Sequence, residues 1–166
     1  EDVLGGRLGL GVTATYVIDY KTSDLVVENV LVQPAFDAVG KLNYQTSAYP
    51  IPRWRGQAYA QFGVDRVDAR FTFNYIDGYV DQRALPFAPR RELPGAPVIA
   101  RGQRISDWAT VDFTLRVEPI DGTTVSFSML NITDRDPSFA RLDLNYDPFT
   151  GNALGRQWKV GVTKKF

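Results

Sequence analysis

The stretch Trp158–Phe166, WKVGVTKKF, reads alternately as Trp158, Val160, Val162, Lys164 and Phe166 on one side, against Gln157, Lys159, Gly161, Thr163 and Lys165 on the other. A period of two with a mostly apolar and a non-apolar face predicts a β-strand with one face against something greasy. The stretch finishes on an aromatic ring, where chain ends are ordinarily frayed and polar.

Working upstream, the same alternation recurs. From Leu8 it sets Leu10, Val12, Ala14, Tyr16, Ile18 and Tyr20 against Gly9, Gly11, Thr13, Thr15, Val17 and Asp19. It sets Ala58, Ala60 and Phe62 against Arg55, Gln57, Tyr59 and Gln61, and Ala69, Phe71, Phe73 and Tyr75 against Asp68, Arg70, Thr72 and Asn74. Val111, Phe113, Leu115 and Val117 oppose Thr110, Asp112, Thr114, Arg116 and Glu118, and Phe127 and Met129 oppose Thr124, Ser126 and Ser128. The expectation is about six strands, near residues 7–20, 54–62, 67–79, 108–118, 124–132 and 156–166. A helical period is hard to find; LVVENVLVQPAF offers room for one helical turn, which Pro34 interrupts.

The connections alternate in length. Gly63–Arg66 and Pro119–Thr123 are tight hairpin turns, the second with an Asp-Gly pair, whereas the links near 21–53, 81–106 and 134–155 are long. A compact soluble domain seldom carries three such loops, and an outer-membrane barrel does so routinely, with short turns on the periplasmic side and long loops outside. The charges Arg55, Arg70, Asp112, Arg116, Glu118 and Lys159 fall on the polar face. The aromatic residues Trp54, Tyr75, Tyr79, Trp108, Trp158 and Phe166 fall near strand ends, where a membrane barrel keeps its girdles. Pattern alone leaves a soluble β-sandwich open; loop length and aromatic position favour the barrel.

Composition removes much chemistry. The 166 residues contain neither Cys nor His, which excludes disulfides, Cys/His zinc sites, cysteine nucleophiles and a Ser-His-Asp triad within the chain. With 19 basic and 19 acidic residues there is no net field to recommend nucleic acid. No cofactor or metal is expected, and the Asp65/Asp68 pair sits in a turn without the apolar pocket that acid–base catalysis needs, so the reading is not an enzyme. No apolar run reaches the ~18 residues of a membrane helix, and the first residues, EDVLGGRLGLG, carry no signal-peptide pattern.

Three stretches resemble one family. LNITDRDPSFA (130–140) resembles the N-L-F-D-x-x-P segment that ends the penultimate strand of TonB-dependent outer-membrane receptors. NYDPFTGNALGRQWKVGVTKKF (145–166) resembles their Y-D-P-x-x-G-x-x-L-G-R segment, last strand and terminal Phe, and GKLN…YPIPRWRG (40–56) resembles a loop leading into a descending strand. The resemblance implies an up-and-down transmembrane β-barrel of about 22 strands with a plugged lumen, of which these would be about the last six. It implies a plug domain and a TonB-engaging motif upstream, outside the 166 residues, and energised uptake of a scarce nutrient such as a siderophore, cobalamin or carbohydrate across the outer membrane of a Gram-negative bacterium. Partners would be the rest of the receptor, outer-membrane lipid and lipopolysaccharide, TonB through the missing part, and the barrel-assembly machinery. The last of these would read Trp158, Lys159, Gly161 and Phe166, with Lys164 departing from the family's apolar preference.

Candidate site residues follow. Arg55, Gln57, Tyr59, Arg70, Asn74, Asp112, Arg116, Gln157 and Lys159 would line the lumen, either along a substrate path or bonded to one another and the plug. Arg83, Arg90, Arg91, Arg101 and Arg104, with Glu92 alone opposing them, make a loop of net charge +4 suited to an anionic ligand or lipopolysaccharide phosphates, or simply solvated. Asp134, Asp136, Asp143 and Asp147 lack the spacing of a calcium loop and read as turn chemistry, as does the Asn131-Ile132-Thr133 sequon at a strand end. Two other classes compete: a small stand-alone outer-membrane barrel acting as an anchor, and a secreted β-sandwich binding module.

Overall fold

The structure, a computed structural model, describes residues 2–3, 5–42, 49–82, 103–140 and 144–165. In chain order the strands are β1 (Asp2–Val3), β2 (Gly6–Tyr16), β3 (Lys21–Thr22), β4 (Leu25–Val27), β5 (Val30–Gln33), β6 (Phe36–Asp37) and β7 (Lys41–Leu42). They continue as β8 (Trp54–Val64), β9 (Val67–Ile76), β10 (Tyr79–Asp81), β11 (Gln103–Ile105), β12 (Trp108–Ile120), β13 (Thr123–Leu130) and β14 (Gln157–Lys164). No helix occurs among the described residues. One seven-stranded sheet, in the order β1-β2-β8-β9-β12-β13-β14, holds the long strands, and every pairing in it is antiparallel. Among the described residues the sheet does not close: β14 has a neighbour only on its β13 side, and β2 is covered on its outer side only by two-residue β1.

Register carries the alternation across the whole sheet. Leu10 faces Ala60, which faces Phe71, then Phe113, Met129 and Trp158, so one transverse row is apolar from β2 to β14. The neighbouring row, Leu8–Phe62–Ala69–Leu115–Phe127–Val160, is apolar too. A one-residue slip anywhere would put a polar set into these rows, which is why the register is well specified. The hairpins fix it locally: Asp65-Arg66 joins β8 to β9 with Asp65 at φ 48°, and Asp121-Gly122 joins β12 to β13 with Gly122 at φ 75°.

Several strand ends differ from the sequence reading, and three of them stop short for a visible reason. β2 stops at Tyr16 rather than Tyr20, because the Arg53 guanidinium donates to the carbonyls of Val17 (3.4 Å) and Ile18 (3.2 Å), supplying the donors a neighbouring strand would. β9 ends at Ile76: Gly78 lies so close to the Ile105–Asp107 backbone that a Cβ would stand 2.5 Å from the Ile105 carbonyl oxygen, and the chain turns aside to start β10. β13 ends at Leu130 because Asn131 adopts φ 51° and its N–H goes to Asp112 Oδ1 at 2.8 Å.

The long links contain structure of their own. LVVENVLV is the β4–β5 hairpin, turned at Glu28-Asn29 (φ 49° and 64°), and no helical turn is present there. β3 pairs with β6 below it, so this link rises as a two-stranded arm beyond the end of β2. The Asp37 carboxylate accepts from the N–H groups of Tyr20 (3.0 Å) and Val39 (3.1 Å), which hold it below the usual Asp pKa. A second small sheet, β11-β10-β7, surrounds the one buried apolar cluster among the described residues: Leu42, Tyr79, Ile105 and Ala140, with Phe149 against it. Tyr79, 1% exposed, therefore belongs to this loop core and not to a girdle.

Candidate functional site

The seven-stranded sheet offers two surfaces of opposite character. On the apolar one, Leu10 is 71% exposed, Val12 80% and Val160 74%, and Leu8, Phe71, Phe73, Trp158 and Val162 are exposed as well. The long strands pair only with their ladder neighbours, and the exposure of these apolar side chains shows that no described element covers them. A sandwich would bring a second sheet to about 10 Å above these side chains. At the long-loop margin the Tyr16 and Trp54 rings meet at 4.6 Å, with the Arg53 guanidinium 5.7 Å from the Tyr16 centroid.

The other surface gathers all nine lumen candidates. Successive rows read Thr15–Arg55–Ile76–Trp108, Thr13–Gln57–Asn74–Thr110, Gly11–Tyr59–Thr72–Asp112, Gly9–Gln61–Arg70–Thr114–Ser128–Lys159, and Arg7–Gly63–Asp68–Arg116–Ser126–Gly161. Gln157, opposite Leu130, belongs to the same face. Trp108 stands here as well, opposite Ile76, so it is not part of an apolar-side girdle.

Several of these side chains are joined. Gln57 Nε2 donates to Asn74 Oδ1 at 2.9 Å, and Asn74 Nδ2 donates to Asp112 Oδ2 at 2.8 Å, so the Asp112 carboxylate is held from both sides once Asn131 N–H is counted. Gln61 Nε2 donates to Asp68 Oδ2 at 2.7 Å, and the Thr114 and Ser128 hydroxyls lie 3.2 Å apart. The Tyr59 ring lies over Gly11, occupying the place of a Cβ, and the Arg70 guanidinium stacks on it at 3.9 Å from the centroid. Arg55, Arg116 and Lys159 have no ion pair among the described residues. Several recesses open on this face, among them one of about 450 Å³ near the short turns, between Arg7, Asp68, Arg116 and Glu118, and one of about 220 Å³ near the long loops, beside Trp108 and Gln157.

The two segments between β13 and β14, residues 131–140 and 144–156, are fastened to each other. Asn131 brackets its own turn, donating from Nδ2 to the Arg135 carbonyl (2.9 Å) and accepting Arg135 N–H (3.0 Å), while Arg135 Nη2 donates to the Asp107 carbonyl at 2.8 Å. Asp134 Oδ1 accepts Arg156 N–H at 2.8 Å beside Gly155, whose φ is 60°. Pro137 packs where a Cβ on Gly151 would be. Asp147, fully buried, accepts from Phe149 N–H at 2.9 Å and from the Thr150 hydroxyl. Asp134 and Asp147 thus serve the backbone, and among the described residues no group of three or more acidic side chains is placed to hold a metal ion.

Of the remaining candidates, Trp158 lies on the apolar face, 5.4 Å ring to ring from Phe127, and Gly161 lies on the polar face under Ser126. Arg104 is exposed on β11, and Arg83, Arg90, Arg91, Arg101, Asp143 and Phe166 lie outside the described residues. No family model, curated protein or solved structure matches the chain.

Proposed function

We propose that the chain is part of the wall of a transmembrane β-barrel in the outer membrane of a Gram-negative bacterium, and that this barrel is a TonB-dependent receptor for energised nutrient uptake. The observation that carries the reading is the uncovered apolar face. Large side chains in register over six strands are left open on one side, while the polar residues opposite are knitted together. In water, a continuous apolar surface of this breadth marks an interface. Hydrocarbon covers it without a second protein layer, and the ladders satisfy the backbone between neighbouring strands as a membrane demands. The dimension agrees: the 11 residues of β2 at ~3.3 Å each give a depth of ~26 Å at ~45° tilt, close to the apolar band of such barrels. The outer edges of β2 and β14 would then be met by further strands of the same barrel, and the polar face would look into a lumen shared with a plug.

The absence of cysteine makes the test clean. Single cysteines at Val12, Phe71 and Val160, and at their neighbours Thr13, Thr72 and Lys159, are introduced into the protein in lipid vesicles. A membrane-impermeant thiol reagent should label the second set and leave the first protected. Equal labelling of both sets, or a chain that stays folded and monomeric in plain buffer, would replace the wall with a soluble β-module.

A further inference from the structure

The three long links share one small core. β7 comes from the first link, β10 and β11 from the second, and the third sends Ala140 and Phe149 into the cluster they enclose. Backbone bonds cross between links: Val80 N–H donates to the Gly40 carbonyl and Gln82 N–H to the Leu42 carbonyl, both at 2.9 Å. Ser138 Oγ donates to the Ser106 carbonyl at 3.0 Å, and Asp147 N–H donates to the Ser138 carbonyl at 2.8 Å. Leu42 from the first link, Tyr79 and Ile105 from the second and Ala140 from the third are all buried in the one cluster, so among the described residues no link has a core of its own. Side chains buried only by joint packing are released together.

This assembly is tied to the large sheet through Asp112, on the polar face of β12. Asp112 Oδ1 accepts Asn131 N–H at 2.8 Å where the third link leaves β13. Asn131 brackets Arg135, which reaches the Asp107 carbonyl at the root of the second link. Asp112 Oδ2 accepts Asn74 Nδ2 at 2.8 Å, and Asn74 accepts Gln57 Nε2 at 2.9 Å. One oxygen thus serves the links and the other the polar face. With both engaged the carboxylate is held in a single rotamer; with either released it can turn, and the remaining bond weakens.

We propose that the described parts of the three links form one cooperative cap, and that Asp112 is a latch through which occupancy of the polar face sets how firmly that cap is docked. A bound group that draws the Asn74 carboxamide away releases Asp112 Oδ2, and the loosened carboxylate holds Asn131 less well. The coupling is reciprocal, because the bond to Asn131 fixes the same carboxylate for Asn74. It holds whatever solvent the apolar face meets, so it stands apart from the membrane reading.

Amide hydrogen exchange, resolved by residue on the chain in detergent, tests both parts. Leu42→Ala, a change in the first link, should speed exchange roughly thirtyfold or more at Val80 in the second link and at Asp147 in the third alike. Phe113 and Phe127, in the large sheet, should keep the parent rate. Asn74→Ala alters no residue of any link, yet it should speed Asn131, Arg135 and Asp147 by about fivefold. Asp112→Asn leaves one acceptor oxygen for two donors and should speed the same three by about tenfold or more. Adding Asn74→Ala to Asp112→Asn should change them little further, since both act on one path. Gln61→Ala, which removes the bond to Asp68 from the same face, should leave all three at the parent rate. Acceleration confined to the first link and β10 in Leu42→Ala overturns the single cap. Cap amides indifferent to Asn74→Ala, or equally disturbed by Gln61→Ala, overturn the latch. None of these rates depends on the thiol-labelling pattern, so failure of the latch and failure of the wall are told apart.

Discussion

The two faces of the seven-stranded sheet are made by the same strands, yet they are held by different physics. On the apolar side the side chains meet across strands as broad non-directional rows, Leu10 to Trp158 and Leu8 to Val160, and any residue of similar shape and polarity would serve. On the polar side the contacts are particular: Gln57 to Asn74 to Asp112, Gln61 to Asp68, Arg70 on Tyr59 on Gly11. A surface that meets a fluid needs only the right solvent preference. One that meets a defined occupant needs positioned donors and acceptors, and those must be satisfied when the occupant is away.

The sharpest way to break this contrast is to exchange the faces at one depth. Phe71→Arg, in the middle of the apolar row, should destabilise the protein in lipid by about 2–4 kcal/mol, whereas Thr72→Arg next to it should cost less than about 1 kcal/mol. Urea unfolding in vesicles measures both, and equal costs would erase the distinction between the faces. Next in size is Gly11→Ala, which pushes a methyl into the Tyr59 ring and lifts it from Arg70. A loss of about 1–2 kcal/mol is expected, restored in part by Tyr59→Leu in the same chain. Asp134→Ala removes the acceptor for Arg156 N–H and should cost about 1 kcal/mol, seen as faster amide exchange at Arg156 and Gln157 with the middle of β13 unchanged. The smallest effect is on the arm. With its pKa held below the usual value by two backbone N–H donors, Asp37 binds fewer protons folded than unfolded as pH falls below about 4. Its contribution is complete above that range and is lost as pH drops through the depressed folded value. Amide exchange at Tyr20 and Val39 should therefore quicken only in strong acid, and in Asp37→Asn it should lose that pH dependence.

What the sequence made legible follows from the period-two code. Strands β2, β8, β9, β12, β13 and β14 were visible because alternation survives wherever each face meets one environment throughout, and all nine polar-face candidates share a face for the same reason. The strand ends were less legible, since they depend on non-local partners: Arg53 closing β2 from 35 residues away, Gly78 under Ile105, Asp112 under Asn131. Tyr79 and Trp108 were placed by nearness to strand ends, a rule blind to which side a ring points; counting parity from Thr110 would have put Trp108 on the polar face. The β4–β5 hairpin was obscured because its strands are aliphatic on both faces and show no alternation, although Glu28-Asn29 sat at the turn.

The fastening between Asp134 and Arg156 has a bearing on how such a molecule changes over generations. By gripping the stem of the last long loop at its base, that one hydrogen bond makes the span between its partners a nearly closed ring, and lengthening a closed ring costs little: doubling it adds only about 0.6 kcal/mol. Exposed residues of that span, such as Leu144 and Leu154, can change while β13 and β14 keep their pairing and the packed contacts of Ala140, Asp147 and Phe149 stay in place. That margin of the sheet can thereby vary in sequence without disturbing the ladder that carries it.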